Sequence, residues 1–379
     1  MTERSFTLGR KETDIAKGVA ILLMVAHHCF AFPGRQPTDL RLEHIIVWGQ
    51  DLDLLLGMFG KVCVGMFFVI SGYALGLKTP SLLQLPGQLV KRIGAFFATF
   101  WINCAILLPA VAYWASSNPT FARMFNWSQA TLLKNLFMVE PSYSLEWWFG
   151  RPYLLMILVV WPVFLLLRRL SPLAPVLLSV ALYGAALRLS MPWLVEVLHW
   201  QSVFAVGFLA SAFDVPGMLT KAWGRCLAWA ELPLLALMLV GCVLLRWRLG
   251  ILGDVVLAPL LVVVSIHVVR RYLAWLPLAR VGALSAHMWF NHTFFFYYCF
   301  PRFFYGLGNH ALVYGAVLLC SLALAFVTDG LQRLLTRGAC ALWERVYGES
   351  APAASPATPT LVPQSPELAE SSVPRPPLS

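Results

Sequence analysis

The sequence is short of charge. Charged residues make up 12% of its 379 residues, whereas hydrophobic residues make up 59%. An average soluble domain carries about 25% charged residues. The apolar runs are also too long and too numerous for the core of a globular protein. The deficit of charge therefore argues against a soluble protein and predicts a chain that lies in a bilayer.

Several familiar patterns are missing as well. No strand-like alternation occurs, which argues against an outer-membrane barrel. The eight cysteines occur singly, without CxxC spacing, so we predict neither a disulfide framework nor a metal site. No Gly-rich phosphate loop, HExxH or GxSxG motif occurs, which argues against an ATPase, a zinc protease and an α/β-hydrolase. The first apolar run lacks a small-residue cleavage site, so it is predicted to be a helix rather than a cleaved signal peptide.

The apolar runs that are present predict an all-α, polytopic integral membrane protein with about ten transmembrane helices. Helices satisfy their own backbone hydrogen bonds in lipid. The predicted spans are residues 15–32, 54–77, 93–115, 145–167, 173–189, 194–212, 227–245, 251–269, 281–304 and 311–334.

The net charge of +10 is spread over short Lys/Arg clusters between the apolar runs, which indicates topology rather than a nucleic-acid partner. With both termini in the cytoplasm, every basic cluster falls on the inner side, in the plasma or inner membrane of a bacterium. The predicted divisions are a cytoplasmic N-terminus (1–14), a transmembrane domain (15–335), a cytoplasmic juxtamembrane segment (336–350) and a disordered Pro/Ala/Ser-rich tail (351–379).

Two histidines inside predicted spans are the main catalytic candidates, because an ionisable group in lipid is costly. His28 lies 13 residues after Ile15 and His292 lies 11 residues after Val281, about 20 and 16 Å along their helices, so we expect a shared depth. Neutral imidazole can act as a general base, although a packed, hydrogen-bonded histidine would give the same pattern. Since adjacent helical residues point about 100° apart, His27 is expected to face away from the pocket of His28.

Other polar residues near the ends of spans are weaker candidates. Ser71 and Tyr73 lie in a small-residue segment, where helix packing is an equally good explanation. Glu146 and Arg151 flank the entry to the fourth predicted span. An arginine this close to the bilayer needs a partner or a wet cavity.

Three basic residues are candidates for binding a phosphorylated donor at the inner surface. Lys17, Lys91 and Arg92 lie at the predicted cytoplasmic ends of the first and third spans. Residues of this kind more often only set the topology, and both interpretations stay open.

Four motifs follow one another along the chain, in the segments 14–28, 65–73, 147–149 and 285–292. Together they resemble the membrane-bound acyltransferase 3 family over residues 12–335. That family has a basic residue, ten intervening positions and then an essential histidine, and counting from Lys17 leads to His28 rather than His27. Lys17 replaces the more usual arginine, and Met66 replaces an acidic residue often found there. Lys91-Arg92 stands in place of the family's arginine-rich motif, and Gly207 lies in a segment that resembles its sixth-helix pattern.

The resemblance implies a membrane enzyme that moves an acyl group, expected to be acetyl, from cytoplasmic acyl-CoA to a hydroxyl of a cell-envelope or extracellular glycan or glycolipid. It implies no bound cofactor, and its partners would be the lipid bilayer, acyl-CoA and the acceptor, with the oligomeric state left open. His28 would be the catalytic base. The implied supporting residues are His292, Ser71, Tyr73, Arg151 and Glu146 around the tunnel, and Lys17, Lys91 and Arg92 at the donor phosphates.

Two alternatives from other classes remain at this point. One is a transporter or flippase for a glycan, a lipid or a small solute, although the inverted repeat of many such proteins is not apparent. The other is a non-catalytic membrane partner, in which the intramembrane histidines would be replaceable.

Overall fold

The computed structural model of the protein describes residues 8–47, 49–115, 125, 127–188, 192–213 and 231–347. Contacts divide the chain into two units, Met1–Thr336 and Arg337–Ser379, and in the second the described part is residues 337–347 of a helix. Lys221 and Arg225, which form one of the basic clusters between apolar runs, lie outside the described residues, as does the predicted disordered tail 351–379.

The described residues are almost entirely helical, which confirms the predicted all-α class. One short antiparallel hairpin, β1 (Ile46–Val47) and β2 (Gln50–Asp51), pairs Ile46 with Asp51 and Val47 with Gln50. In chain order the helices are α1 (Arg10–Phe30), α2 (Leu52–Gly60), α3 (Val62–Gly76), α4 (Leu85–Ala115), α5 (Gln129–Leu136), α6 (Gly150–Leu155), α7 (Trp161–Arg168), α8 (Ala174–Ala186), α9 (Pro192–Phe213), α10 (Glu231–Leu249), α11 (Asp254–Tyr272), α12 (Leu278–Ala283), α13 (Ser285–Thr293), α14 (Pro301–Tyr305) and α15 (His310–Tyr347).

Seven helical stretches of the described chain are long and apolar enough to cross a membrane, so the protein is an integral membrane protein. Each corresponds to one predicted span, whereas the count of ten is not confirmed. The seven are Arg10–Phe30, Leu52–Gly76, Leu85–Trp114, Leu145–Arg168, Leu194–Phe213, Asp254–Tyr272 and His310–Leu342.

Of the other three predicted spans, two differ from a single long helix, and the third is a 19-residue helix, α10, over its described part. The span predicted at 173–189 contains α8, which has only 13 residues, and the one predicted at 227–245 begins outside the described residues. The span predicted at 281–304 is broken at Leu284 and again by a π-helical turn, Phe294–Cys299. Pro301 then starts α14, because a proline lacks the amide hydrogen that a continuous helix would need.

Glycines allow α3 to lie against its neighbours. A Cβ atom added at Gly65 would be 2.8 Å from the Cβ of Ala258 on α11, and one at Gly207 of α9 would be 2.9 Å from the Cα of Val69. At Gly72 the added atom would be 3.0 Å from the amide nitrogen of Phe208. The close helix approach predicted from Gly65 and Gly72 is therefore confirmed.

Two apolar clusters form the interior, and α1 and α13 join them. Met24 and Met288 belong to the first cluster, with the large buried side chains of α3 and α9. Cys29 and Phe294 belong to the second, with buried aromatics of α4 and α14. His28 lies between Met24 and Cys29 on α1, and His292 lies between Met288 and Phe294. The two histidines are therefore placed where the clusters meet.

Candidate active site

A cavity of about 100 Å³ lies beside the C-terminal end of α1. This volume corresponds to roughly three water molecules. Apolar rings, including Trp148 and Trp289, form part of its wall. Its polar and charged lining comes from His27, His28, Arg35, Lys61 and Glu146.

His28 and His292 face each other next to this cavity. Their ring centroids are 5.0 Å apart, with the planes tilted by 53°. His28 is half-buried and lines the cavity, whereas His292 is completely buried behind it. The two histidines are 264 positions apart in sequence (292 − 28), and the fold brings them to one depth as their positions in the spans predicted.

The hydrogen bonds of His292 fix which of its nitrogens is available. Its Nδ1 lies 2.9 Å from the main-chain oxygen of Trp289 and 3.1 Å from that of Met288, so Nδ1 carries the hydrogen and donates it. The neutral ring then holds its lone pair on Nε2, which is buried and has no hydrogen-bond partner among the described residues. The Nδ1 of His28 is likewise buried and has no hydrogen-bond partner among the described residues. Two rings in contact therefore present two unsatisfied nitrogens.

His27 also lines the cavity, so the expectation that it faces away is wrong. The cavity extends around the end of α1 and reaches both rings, whose centroids are 4.9 Å apart. The two histidines differ in their hydrogen bonds instead. The Nδ1 of His27 lies 2.7 Å from the main-chain oxygen of Gly57 on α2 and donates to it, which holds this ring in a structural role.

Glu146 forms a buried polar network at the cavity wall. Arg35 donates to one oxygen of its carboxylate. Ser144 and Tyr298 each donate to the other oxygen at 2.9 Å. Because a buried carboxylate is costly unless it is paired and hydrogen-bonded, this arrangement holds Glu146 in one position. The loop after α1, the entry to α6 and the π-helical turn are thereby connected.

The π-helical turn supplies a second contact to the histidine. The hydroxyl of Tyr297 donates to the main-chain oxygen of His28, and the guanidinium of Arg35 lies 4.9 Å from the centre of the Tyr297 ring. An extra residue in a helical turn changes the direction of the side chains that follow it. The turn thus aims Tyr297 at α1 and Tyr298 at Glu146.

Lys61 and Arg35 are cavity residues that the sequence did not single out. The Nζ of Lys61 lies 5.8 Å from the centre of the Trp148 ring, and Lys61 has no carboxylate partner among the described residues. The sequence does contain a signal for Lys61, because it is a charged residue within an apolar stretch, between α2 and α3. Arg35 gave no such signal, since its partner Glu146 is 111 positions away in sequence.

A second group of cations lies at the other end of α3. Burial lowers the pKa of Lys78, and the nearby charges of Arg92 and Lys91 lower it further. The Arg92 guanidinium lies 5.3 Å from the centre of the Trp161 ring, and Arg168 donates to the main-chain oxygen of Gly76 at 2.6 Å. These residues, Lys78, Lys91, Arg92 and Arg168, are called the cation group below.

The remaining predicted site residues lie outside the cavity wall. Lys17 forms an ion pair of 3.0 Å with Asp14, three residues earlier on α1. Ser71 is half-buried and Tyr73 is buried, both on α3 between the cavity and the cation group. Arg151 is exposed at the start of α6. The fold therefore brings His28, His292 and Glu146 together, and places these four residues elsewhere.

A buried ion pair supports the cavity from outside. Arg246 donates to both oxygens of Asp254, at 2.8 and 3.0 Å, and also to the main-chain oxygen of Met58 at 3.4 Å. Neither side chain is more than 6% exposed. A bidentate pair of this kind is among the stronger ones. The ion pair joins α10, α11 and α2 close to Lys61. Its two opposite charges, eight residues apart near the turn between α10 and α11, could have been recognised in the sequence as a possible pair.

The comparisons with known proteins agree with the geometry. The model of an acyltransferase domain family matches residues 10–330 of the chain. No curated protein and no solved structure is significantly similar to it. The match covers the helices that carry His28, Glu146 and His292, and it favours an enzyme over the transporter and the non-catalytic partner. The chain therefore belongs to the acyltransferase 3 family, and it is a membrane-embedded acyltransferase.

Proposed function

We propose that the protein transfers an acetyl group from acetyl-CoA to a hydroxyl group of a cell-envelope glycan or glycolipid, in the plasma or inner membrane of a bacterium. The observation that carries this proposal is the pair of facing histidines, each with an unsatisfied buried nitrogen, at a cavity of about 100 Å³. A cavity of this size accommodates a short acyl group and an acceptor hydroxyl. We expect a short acyl group to fit it better than a fatty acyl chain.

His28 is the general base in this proposal. His28 Nδ1 and His292 Nε2 make no hydrogen bond among the described residues. In the reaction, a hydrogen bond from His28 Nδ1–H to His292 Nε2 would leave the Nε2 lone pair of His28 for the acceptor hydroxyl. The acceptor oxygen attacks the thioester carbonyl as His28 takes the hydroxyl proton. The carbon–oxygen bond forms, the carbon–sulfur bond breaks, and the proton passes from His28 to the CoA thiolate. Atoms and charge balance without a further reactant.

Lys61 is proposed to stabilise the negative charge that develops on the thioester oxygen. It lines the cavity with His28 and has no carboxylate partner among the described residues, whereas Arg35 is already paired with Glu146. A fixed positive charge in a water-poor site stabilises such an oxyanion more strongly than it would in water.

The cation group is proposed to bind the phosphates of the donor. Cys63 lines the cavity at the start of α3 and Gly76 ends that helix beside the cation group. The axial rise between them is roughly 20 Å. The extended pantetheine arm of CoA suits such a separation, and Ser71 and Tyr73 lie along this helix. Lys17, which is paired with Asp14, contributes less in this arrangement.

A donor series tests the size of the acyl group. Purified protein in lipid nanodiscs would receive acetyl-, butyryl- and decanoyl-CoA together with a membrane glycolipid extract, and the release of CoA thiol and the acylation of the extract would be measured. We expect acetyl-CoA to be used best and decanoyl-CoA not at all. Preference for decanoyl-CoA would contradict the proposed substrate while leaving the enzyme class intact.

A further inference from the structure

Four potential metal ligands meet at the end of the spans opposite Arg10. His44 lies in the loop after α1, Asp51 in β2, Asp53 in the first turn of α2, and His310 is the first residue of α15. None of them lines the cavity of about 100 Å³ described above. His44, Asp51 and Asp53 lie within ten residues of one another, but His310 comes 257 residues after Asp53 (310 − 53), so no spacing motif reveals the full set.

The ligand atoms are already close together. One atom each from His44, Asp51 and Asp53 lies within 4.8 Å of the others. The Nδ1 of His44 is 2.6 Å from Asp51 Oδ2 and 3.3 Å from Asp53 Oδ2, and the Nε2 of His310 is 3.5 Å from the same oxygen of Asp53. In a tetrahedral zinc site, bonds near 2.0 Å separate neighbouring ligand atoms by about 3.3 Å. The separations of 2.6, 3.3 and 3.5 Å are close to this value, and His310, which contacts Asp53, would move toward His44 and Asp51 to complete the set.

Backbone amides hold both carboxylates in the orientation that a metal requires. Asp51 Oδ1 accepts a hydrogen bond from the amide of Leu54 at 3.0 Å, and Asp53 Oδ1 accepts one from the amide of Ile45 at 2.7 Å. Each carboxylate therefore turns its Oδ2 toward His44. Support of this kind behind the ligands is typical of metal sites.

His310 supplies the observation that is independent of the acidic pair. Its Nε2 is shielded from solvent, and it has no hydrogen-bond partner among the described residues. The ring packs against Phe30 with a centroid distance of 5.4 Å, so it is not free to turn away. The His310 side chain is 20% exposed, but its shielded Nε2 makes no hydrogen bond among the described residues and lies next to the Asp53 carboxylate, an arrangement that is suited to a cation.

We propose that His44, Asp51, Asp53 and His310 bind a structural Zn²⁺ ion. Two imidazole nitrogens favour zinc over calcium or magnesium, which prefer all-oxygen sites. Four protein ligands close the coordination sphere, so the ion stabilises rather than catalyses. It fixes the loop that carries Arg35 to the start of α15. The competing explanation is a protonated His44 that bridges the two carboxylates without a metal.

The test measures metal content rather than activity. The protein is purified in detergent with a tag that contains no histidine, stripped with EDTA, reloaded with ZnCl₂ and desalted before elemental analysis. CoCl₂ is titrated in parallel, since tetrahedral Co²⁺ gives visible absorption bands. The variants are His44→Gln and His310→Gln. Asp39→Asn is the matched control, because Asp39 is a carboxylate on the same loop that pairs with Arg302 instead.

We expect about one zinc ion per chain in the wild type and in Asp39→Asn, and less than about a tenth of that in either histidine variant. Added Zn²⁺ should also raise the unfolding temperature of the wild type but not that of His310→Gln. Equal zinc content in all proteins, or a wild type that binds no zinc and gives no Co²⁺ bands, would overturn the proposal in favour of the protonated bridge.

Discussion

Hydrogen bonds, more than position, separate the two histidines at the end of α1. Both rings line the cavity, but the Nδ1 of His27 donates a hydrogen bond to the main-chain oxygen of Gly57, whereas the Nδ1 of His28 has no partner among the described residues. A ring held by the backbone is suited to support, and a ring with an available nitrogen is suited to proton transfer. At the scale of single residues, the proposed chemistry depends on this difference.

His292 is the residue that would orient His28. Replacing it by alanine removes the Nε2 lone pair, and we expect kcat to fall by about 10- to 100-fold with a smaller change in KM. Steady-state release of CoA thiol measures both constants. The control is His267→Ala, a half-buried histidine on α11 outside the cavity wall. An unchanged kcat in His292→Ala would show that the contact between the rings has no catalytic role.

Glu146 and Arg35 are expected to depend on each other. Glu146→Gln keeps the shape and the acceptor for Ser144 and Tyr298, but it leaves the Arg35 charge unpaired, so the free energy of unfolding should fall by about 1–3 kcal/mol. Arg35→Gln should cost a similar amount. The double variant should lose less stability than the two single variants lose together. Thermal unfolding of the wild type, both single variants and the double variant measures this coupling. Full additivity would mean that the two side chains are not coupled.

The packing of whole helices against α3 explains why small residues recur along it. Gly207 of α9 lies against the backbone of Val69, which cannot move away without displacing α3. Gly207→Val should therefore destabilise the fold by at least about 1–3 kcal/mol and lower the amount of folded protein in the membrane. Gly94→Ala is the matched control, since nothing lies within 4 Å of the added atom there. Normal abundance of Gly207→Val would refute the close packing.

The far end of α3 carries the proposed donor site. Lys78→Ala should raise the KM for acetyl-CoA by roughly fivefold, with little change in kcat, and should make the KM less sensitive to salt. Lys134→Ala is the control, because that lysine already pairs with Glu140 in an exposed position. Kinetics at two ionic strengths measure the effect. If both variants behave like the wild type, the cation group has only a topological role.

The sequence predicted the long helices better than the broken ones. Uninterrupted apolar runs are sufficient evidence for a span, and each of the seven confirmed spans contains one. The segment predicted at 281–304 is also rich in apolar residues, but it contains several polar ones, and its breaks depend on main-chain geometry around Leu284 and on the π-helical turn. For the site, the sequence predicted that His28 and His292 share one depth, and the structure shows that their rings are also in contact. The ion pair of Glu146 with Arg35 forms only when the chain folds, so no local sequence pattern predicts it.

At the scale of the whole molecule, the two proposed binding regions lie at opposite ends of one helix. The cavity with His28 is at the start of α3, and the cation group is at its end, on the side where α1 begins. A donor bound at one surface can then deliver its acyl group close to the other surface. This arrangement explains why such a transfer would be carried out by a chain that spans the membrane.

The most direct test compares acetyl transfer by the wild type, His28→Ala and His27→Ala in nanodiscs, with equal amounts of folded protein verified by size-exclusion chromatography. We expect His28→Ala to lose about 100-fold or more of the rate, as general-base catalysis requires, and His27→Ala to keep most of it. A His28→Ala protein that transfers acetyl groups at the wild-type rate would contradict the central role of His28 in this acyltransferase.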